Sequence, residues 1–493
     1  RARPDVSALV HVHSSNAVAV SCMKNADSSC AIPVYTPGYS MRVGELPILP
    51  YMTPGSVELC DHVFPLIAER NSVLLANHGP LAVGRSMEEA LNIIEEIEDE
   101  ARRQVEELAA LRPFKGQRIR VMPDAHAGIG CVVGLTSTFG DAVIPNVVGV
   151  DISCGVNAYL VGKRRVDFQT LDDVVRERIP SGMSWRENEQ QDFWFGWDDL
   201  ACIDRLHDLD RIKRSVGTLG GGNHFIEIDE DMDGNLWLGL HSGSRNLGSQ
   251  VCGVYQKAAH EELSRVGIQS TGYLKEGFIE RLKADGKQEL IGYVLQTMNG
   301  IQREHSVGKE LAWAEGRLLE EYLHDCDFCQ MYASANRETM AREIFSGMGW
   351  GGWDDMVSST HNYVDTANRI IRKGAIAAYE GQKVIIPLNM AKGCVIGIGK
   401  GNEDYNWSAP HGAGRKMSRA KAKRSLRVKD YREQMDGVWS SCIGSSTLDE
   451  APGAYKDADK IIESVADTVD VVQVMRPVYN FKAEEEAVPP WKK

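Results

Sequence analysis

Alternating residues mark Phe225 to Ile228 as a strand, and Leu236 to His241 returns as a second one across the polar turn Asp229 to Asn235. Folding this hairpin about its midpoint, between Met232 and Asp233, sets His224 opposite His241. Directly opposed residues of an antiparallel pair point to one face with Cβ atoms roughly 5 Å apart, so the two imidazoles are placed to share a metal. Asn223 and Glu227, four apart, share the other face beside the flexible Gly220-Gly221-Gly222, which suits a polar ligand that backbone approaches closely. Helical periodicity governs 87–111, where Leu91, Ile94, Ile97, Ala101, Val105 and Leu108 recur at three- and four-residue steps and Pro113 ends the pattern. From Gln117 to about Gly162 the chain turns β-rich and glycine-rich. Residues 199–218 and 252–380 read mainly as helices, strands return around Val384 to Gly399, and the tail from Lys456 reads as a helix followed by a short extended end. No apolar run approaches the roughly 18–20 residues of a membrane helix.

Composition changes this picture in two places. A net charge of −14 argues against holding nucleic acid by bulk electrostatics, yet the run from Arg415 to Arg432 carries nine Lys or Arg and one Asp, a local site for phosphate. Eleven scattered cysteines without a disulfide framework read as reduced thiols in a cytoplasmic protein. Cys326 and Cys329 form one CxxC with no second pair and read as buried thiols.

Candidate chemistry divides at about residue 96. In the first part, His11 and His13 sit two apart at the end of an apolar strand, where they share a face, and His78 follows another apolar strand. Three imidazoles so placed are a zinc pattern. With Pro54-Gly55-Ser56-Val57-Glu58-Leu59, the NHGPLAVG strand and loop, and the helix opening at Ser86-Met87-Glu88-Glu89-Ala90, residues 5–100 resemble part of the class II aldolase and adducin-related family. The resemblance covers roughly half a domain and implies Zn²⁺ held by His11, His13 and His78.

Further along, Asp151 and Cys154 lie three apart at a strand end flanked by glycines, a mixed hard and soft ligand pair in which a thiolate can bridge two ions. Thr360-His361-Asn362 opens a stretch read as helical and adds an imidazole. His411 stands among glycines in Ala409-Pro410-His411-Gly412-Ala413-Gly414-Arg415, where backbone N–H groups can cradle phosphate and a neutral imidazole can attack phosphorus.

These motifs occur in a long ordered series: MPDAHAGIGCVVG, VGVDISCGV, GTLGGGNHFIEI, LHSGSRNLG, SVGKELAWAEG, SSTHNYV, PLNMAKG, GKGNEDYNWSAPHGAGR, SSTLDEAP and YNFKA. Over residues 97–483 the chain resembles the RtcB family of RNA-splicing ligases. The resemblance implies an α+β fold, with a mixed β core and surrounding helices, preceded by a partial α/β aldolase-like segment. The expected division is 1–96 and 97–493. The implied activity joins RNA 3′-phosphate or 2′,3′-cyclic phosphate ends to 5′-hydroxyl ends, with GTP and Mn²⁺, in tRNA splicing or RNA repair. Carried over by motif, Asp151, Cys154, His224, His241 and His361 are metal ligands, with Cys154 bridging two ions, and His411 becomes guanylylated. Asn223, Glu227, His361, Asn362, Pro387, Leu388, Asn389, Met390, His411, Gly412, Ala413, Gly414 and Lys482 contact the nucleotide. Cys394, which stands where many relatives have Ser in the loop after PLNM, is counted among these nucleotide contacts. Implied partners are RNA, as tRNA halves or broken strands, and an archease-type activating protein, with no membrane. The competing readings are a zinc-dependent sugar-phosphate aldolase or lyase built on the N-terminal histidines, and an inactive fusion.

Every ligase motif lies after residue 117. The double substitution His11→Ala with His78→Ala is therefore expected to leave ligation of a 2′,3′-cyclic-phosphate RNA intact, and a ligation gel beside the unaltered chain checks it.

Overall fold

The computed structural model describes residues 3–13, 15–22, 29–32, 43, 45–94, 109, 111–126, 131–190, 195–292, 295, 308–415 and 419–483. Its centre is a seven-stranded antiparallel sheet in the spatial order Met356–Thr360, Gly155–Gly162, Leu236–Ser242, Phe225–Glu230, Val469–Phe481, Gly393–Gly399, Lys383–Asn389. Both faces are covered. On one, Tyr159, Ile226, Ile228, Leu238 and Leu240 pack with Leu171 and Val175 of the helix Phe168–Arg178 and with Met340, Ile344 and Phe345 of the helix Gly316–Gly347. On the other, Val156, Ala158, Phe225, Trp237, Ile385 and Met475 form a second cluster. Burial on both sides explains why Leu236–Ser242 reads as a nearly unbroken apolar run.

A four-stranded sheet, Tyr363–Asp365, Ile370–Lys373, Val133–Thr138 and Ile119–His126, stands beside it. The N-terminal part forms its own four-stranded sheet, Ala8–His11, Gly79–Gly84, Ser72–Leu75 and Ile48–Leu49, over a core that includes Ala17, Val20, Leu46, Leu74 and Ile93. All eleven cysteines are free thiols, and Cys326 and Cys329 are buried in the core. Among the described residues no helix is long and apolar enough to cross a membrane.

Five sequence expectations change. Residues 199–218, read mainly as helices, hold the short helix Leu209–Lys213 and a 3-10 turn at Ile203–Arg205 and are otherwise mostly turns and irregular chain. The hairpin pairs one residue out of the predicted register: His241 faces Phe225, and Leu236 faces Glu230. The first strand continues to Glu230 because the turn is built on Asp231, whose carboxylate accepts N–H bonds from Asp233 and Asn235 at 3.0 and 2.8 Å. Residues 356–377, read as helix, are strands, in keeping with their β-branched Val357, Val364, Ile370, Ile371 and Ile376. The short extended end expected after Lys456 is a 13-residue strand, Val469–Phe481, which pairs on both sides near the middle of the main sheet. In the predicted 87–111 helix, residues 87–94 are helical, but the buried residues are Ala90, Ile93 and Ile94 while Leu91 is 42% exposed. Ile97, Ala101, Val105 and Leu108 lie outside the described residues.

Tyr479 anchors the tail strand. Its ring is fully buried and its hydroxyl donates to Asp172 at 3.0 Å. Tyr479→Ala is expected to cost about 3–5 kcal/mol, read as a lower urea midpoint in equilibrium unfolding.

Candidate active site

The sheet end at Gly155 and Ser242 carries the first constellation. Cys154 Sγ lies 3.3 Å from His224 Nε2 and 3.2 Å from His241 Nε2, His224 Nε2 lies 3.0 Å from Asp151 Oδ2, and His241 Nε2 lies 3.4 Å from His361 Nε2. His224 arrives despite the changed register because it precedes the strand, after a turn through Gly222 at φ +80°. His361 stands between two strands, and its N–H donates to the Cys154 carbonyl at 2.7 Å. The Asp151–Cys154 turn is unusual in its backbone: Ser153 has φ +61° and donates its N–H to the carbonyl of Asn362, itself at φ +57°. Gly243 is required there, since a Cβ would collide with the Asp151 carboxylate.

Four sulfur and nitrogen lone-pair atoms and a carboxylate oxygen converge, which is the donor set of a metal site. His224 Nδ1 is bonded to the Leu219 carbonyl at 2.9 Å, which directs the Nε2 lone pair at Cys154. Burial, then the neighbouring His361 and His224, pushes His241 well below the ordinary imidazole range, and burial, then His411, does the same to His361. Both are thereby kept neutral, as ligation requires. Burial and then Asp151 push the Cys154 thiol up, so a cation at this point is what would favour its thiolate.

His411 lies against this cluster, with its ring centroid 4.7 Å from that of His361. Its Nδ1 is 2.6 Å from Oδ2 of the fully buried Asp124. The contact exists because the 411–414 loop runs against the strand Ile119–His126: Gly414, at φ +69°, abuts the Asp124 carbonyl where any Cβ would clash.

Both features open on a cavity of about 470 Å³. Asp151, His241, His361 and His411 line it, with Asn223, Glu227, Asn362, Pro387, Leu388, Asn389, Met390, Gly412, Ala413, Gly414 and Lys482. Cys154 and His224 are not among the lining residues but touch His241 and Asp151, which are, so the cluster borders the chamber that Asn223 and Glu227 line, rather than lying on the opposite face of a hairpin. Cys394 is not among the lining residues. Its thiol donates to Glu227 Oε1 at 3.0 Å from behind, and Asn480 Nδ2 donates to Glu227 Oε2 at 3.0 Å.

Sequence reasoning missed two residues that organise the chamber. Asp124 stands inside a motif noted for its length and was given no role. Glu450 stands inside SSTLDEAP: its Oε1 meets Arg415 at 2.9 Å and Arg419 at 3.4 Å, and its Oε2 meets Lys482 at 3.1 Å. Arg415 and Arg419 line the cavity, so the leading part of the basic run faces the site as well as solvent.

Some distance along the chain, His11, His13 and His78 also converge, with ring centroids 4.6–5.0 Å apart and His11 Nε2 3.3 Å from His78 Nε2. His11 Nδ1 is bonded to the Pro80 carbonyl at 2.9 Å, which turns Nε2 toward His78. Burial, then the neighbouring His11 and His13, lowers His78 to about 4.

The family model described as tRNA-splicing ligase RtcB matches residues 104–483. The chain belongs to this family. It is 30% identical over 433 residues to the RNA-splicing ligase RtcB of Escherichia coli (strain K12), an alignment covering 78% of this chain and 95% of that protein. It is 25% identical over 443 residues to the tRNA-splicing ligase RtcB of Aeropyrum pernix, covering 73% and 86%. Residues 1–105 match the class II aldolase and adducin N-terminal domain. Over 102 residues the chain is 41% identical to the 3-oxo-tetronate 4-phosphate decarboxylase of Escherichia coli (strain K12), 21% of this chain and about half, 48%, of that protein. The crystal structure of YgbL from Escherichia coli is 39% identical, covers 23% of this chain and 54% of its own, and superposes with a TM-score of 0.21. RtcB membership supports RNA-ligase activity for the chain.

Burial works against the Glu450 charge, but Lys482, Arg415 and Arg419 outweigh it and lower its pKa from 4.5 to about 2. A depressed carboxyl stabilises the fold fully above pH 4.5 and loses that contribution as the pH falls toward 2. Glu450→Gln is expected to remove roughly 3 kcal/mol at neutral pH and to flatten the stability profile between pH 4.5 and 2, measured by urea unfolding across that range.

Proposed function

We propose that the chain joins RNA 3′-phosphate or 2′,3′-cyclic phosphate ends to 5′-hydroxyl ends, through a guanylate carried on His411. The observation that supports this reading is the His411–Asp124 pair at 2.6 Å, set beside the Cys154 cluster in one chamber. With the ring proton held on Nδ1, beside the Asp124 carboxylate, Nε2 is the nitrogen that carries the lone pair. Asp151, Cys154, His224, His241 and His361 would hold Mn²⁺, which would withdraw charge from the phosphate oxygens there.

His411 Nε2 attacks the α-phosphorus of GTP. The N–P bond forms, the bond to the pyrophosphate oxygen breaks, and Asp124 balances the positive charge of the substituted imidazole. A 3′-phosphate oxygen of the RNA then attacks the same phosphorus, and the N–P bond breaks with its electron pair returning to Nε2. The 3′ end now carries the guanylate. The 5′-hydroxyl passes its proton to solvent water and attacks the 3′-phosphate; the new P–O bond completes the 3′,5′-diester as the phosphoanhydride bond to the guanylate breaks and GMP leaves. A cyclic phosphate is first opened by water to the 3′-phosphate. Arg415, Arg419 and Lys482 supply fixed positive charge for the accumulating phosphate charge. Glu227 and Asn223 hold guanine and ribose, with Asn362, the Pro387–Met390 loop and the 412–414 loop around them. Cys394 acts one step back, by orienting Glu227.

A cytoplasmic site, tRNA halves or broken RNA as substrate, and an archease-type activating partner belong to the same proposal. A second reading concerns the N-terminal part alone: the His11, His13 and His78 cluster favours bound Zn²⁺, and likeness to the decarboxylase suggests sugar-phosphate lyase chemistry. Tightly held zinc without GTP labelling would favour that reading for the chain.

The test is α-labelled GTP with Mn²⁺, followed by a denaturing gel. His411→Ala should abolish the label while the protein stays folded, Asp124→Asn should slow labelling by about 10–100-fold, and Cys154→Ser should weaken Mn²⁺ binding. Labelling that survives His411→Ala removes this residue from the role.

A further inference from the structure

The N-terminal segment reaches the ligase chamber. Asn77, in the turn between Ser72–Leu75 and Gly79–Gly84, lines the same cavity as His411, Lys373 and Asn146. Its backbone is fixed: φ is +56°, its N–H donates to the Ser21 carbonyl at 3.2 Å, and the next N–H donates to Leu75. Among the described residues its side-chain Oδ1, a buried atom, has no hydrogen-bond partner.

The segment is docked on this side of the chamber by more than one contact. Cys22 belongs to the large core cluster of the ligase part, and Val18 packs on that cluster. Tyr51 packs with Ala422, Ala454 and Tyr455, next to the basic helix Arg419–Ser425. Cys22, one residue after the carbonyl that holds Asn77, lies within electrostatic reach of Lys456. Lys456 in turn donates Nζ to the carbonyls of Pro123 and Ala125, on either side of Asp124, and its backbone N–H to Gly414. Asn77 therefore stands on the Asp124 and His411 side. Glu227, Asn480 and Lys482 line the same chamber, where Lys482 Nζ also meets the Asn223 carbonyl at 3.2 Å.

We propose that Asn77 forms part of the wall that receives the RNA end, so that the aldolase-like segment completes the RNA-binding site of the ligase. This rests on the RNA-ligase reading above. With guanine at Glu227 and the guanylate on His411, the RNA terminus approaches His411 from the side that Asn77 and Lys373 line. A carboxamide offers both N–H donors and an oxygen acceptor without charge. It can bind a phosphate oxygen and a ribose hydroxyl, the two groups an RNA end presents.

Two substitutions in the full chain test this. Asn77→Gly deletes the amide and keeps the left-handed backbone. Asn77→Asp keeps the shape and places a negative charge in the wall. His411 labelling by GTP is read without RNA, and KM is read separately for the 3′-phosphate strand and the 5′-hydroxyl strand. The expected result is labelling close to that of the unaltered chain, with KM for at least one strand raised roughly 5- to 10-fold by Asn77→Gly. Asn77→Asp should raise it further at low salt, with that excess shrinking as salt rises. Unchanged KM for both strands in both variants overturns the inference while leaving ligation by the unaltered chain standing. An equal loss of GTP labelling overturns it by assigning Asn77 to the nucleotide or to the fold. Faster ligation by Asn77→Gly overturns it by making the segment an obstruction. Absence of both labelling and ligation in the unaltered chain refutes the RNA-ligase reading itself, and the inference with it.

Discussion

The chamber depends on one buried guanidinium. Arg337, on the helix Gly316–Gly347, is 2% exposed and donates to the carbonyls of Ser153 and Ser242 at 3.1 and 2.9 Å and to Asn157 Oδ1 at 2.9 Å. Removing such a charge from water costs several kcal/mol, and only well-aligned acceptors offset it. These acceptors belong to the Asp151–Cys154 turn and to the strand that ends in His241. The neighbouring Asn336 bridges the same strand end to the 217–218 turn, donating to Ser242 Oγ and the Gly243 carbonyl while accepting from Gly217 and Thr218 N–H. Two adjacent polar residues of one helix thus hold the segments around Cys154, His241 and the glycine turn before His224 at fixed separation. The positive charge of Arg337 also acts on Cys154 and Asp151 and favours their anionic forms.

Charge in the rest of the chamber is arranged by a second buried group. Glu450 collects Arg415, Arg419 and Lys482 on one carboxylate, with Tyr455 donating to it as well. Three cations held by one anion leave a net positive wall, although the chain as a whole carries −14. These ion pairs also hold the three cations in place on the chamber wall. A net acidic chain and a locally basic chamber are therefore compatible, because these basic residues are gathered around one buried carboxylate.

The N-terminal part adds a separate fold with its own core and its own convergence of three histidines. Its helix Val57–Glu69 buries none of its residues and leaves Phe64 60% exposed. The same N-terminal part meets the ligase part through Cys22 and Tyr51. The segment is thus neither a detached appendage nor a complete copy of the decarboxylase it resembles, of which it spans about half.

Much of the site was legible in the sequence. The donor types, their order along the chain and the His held among glycines all follow from residue identity and local spacing. The strands Lys383–Asn389 and Gly393–Gly399 were visible for the same local reason. What the sequence left open is what depends on partners far along the chain. The hairpin register turned on the Asp231 carboxylate, and the strand character of 356–377 on sheets that were there to accept it. The central place of Val469–Phe481 depended on neighbours from two distant segments. The contacts of Asp124 and Glu450, and the place of Asn77 at the chamber, arise only when their elements pack. Periodicity says which face of an element a side chain occupies. It does not say which other element that face will meet, because that is decided by burial summed over the whole core.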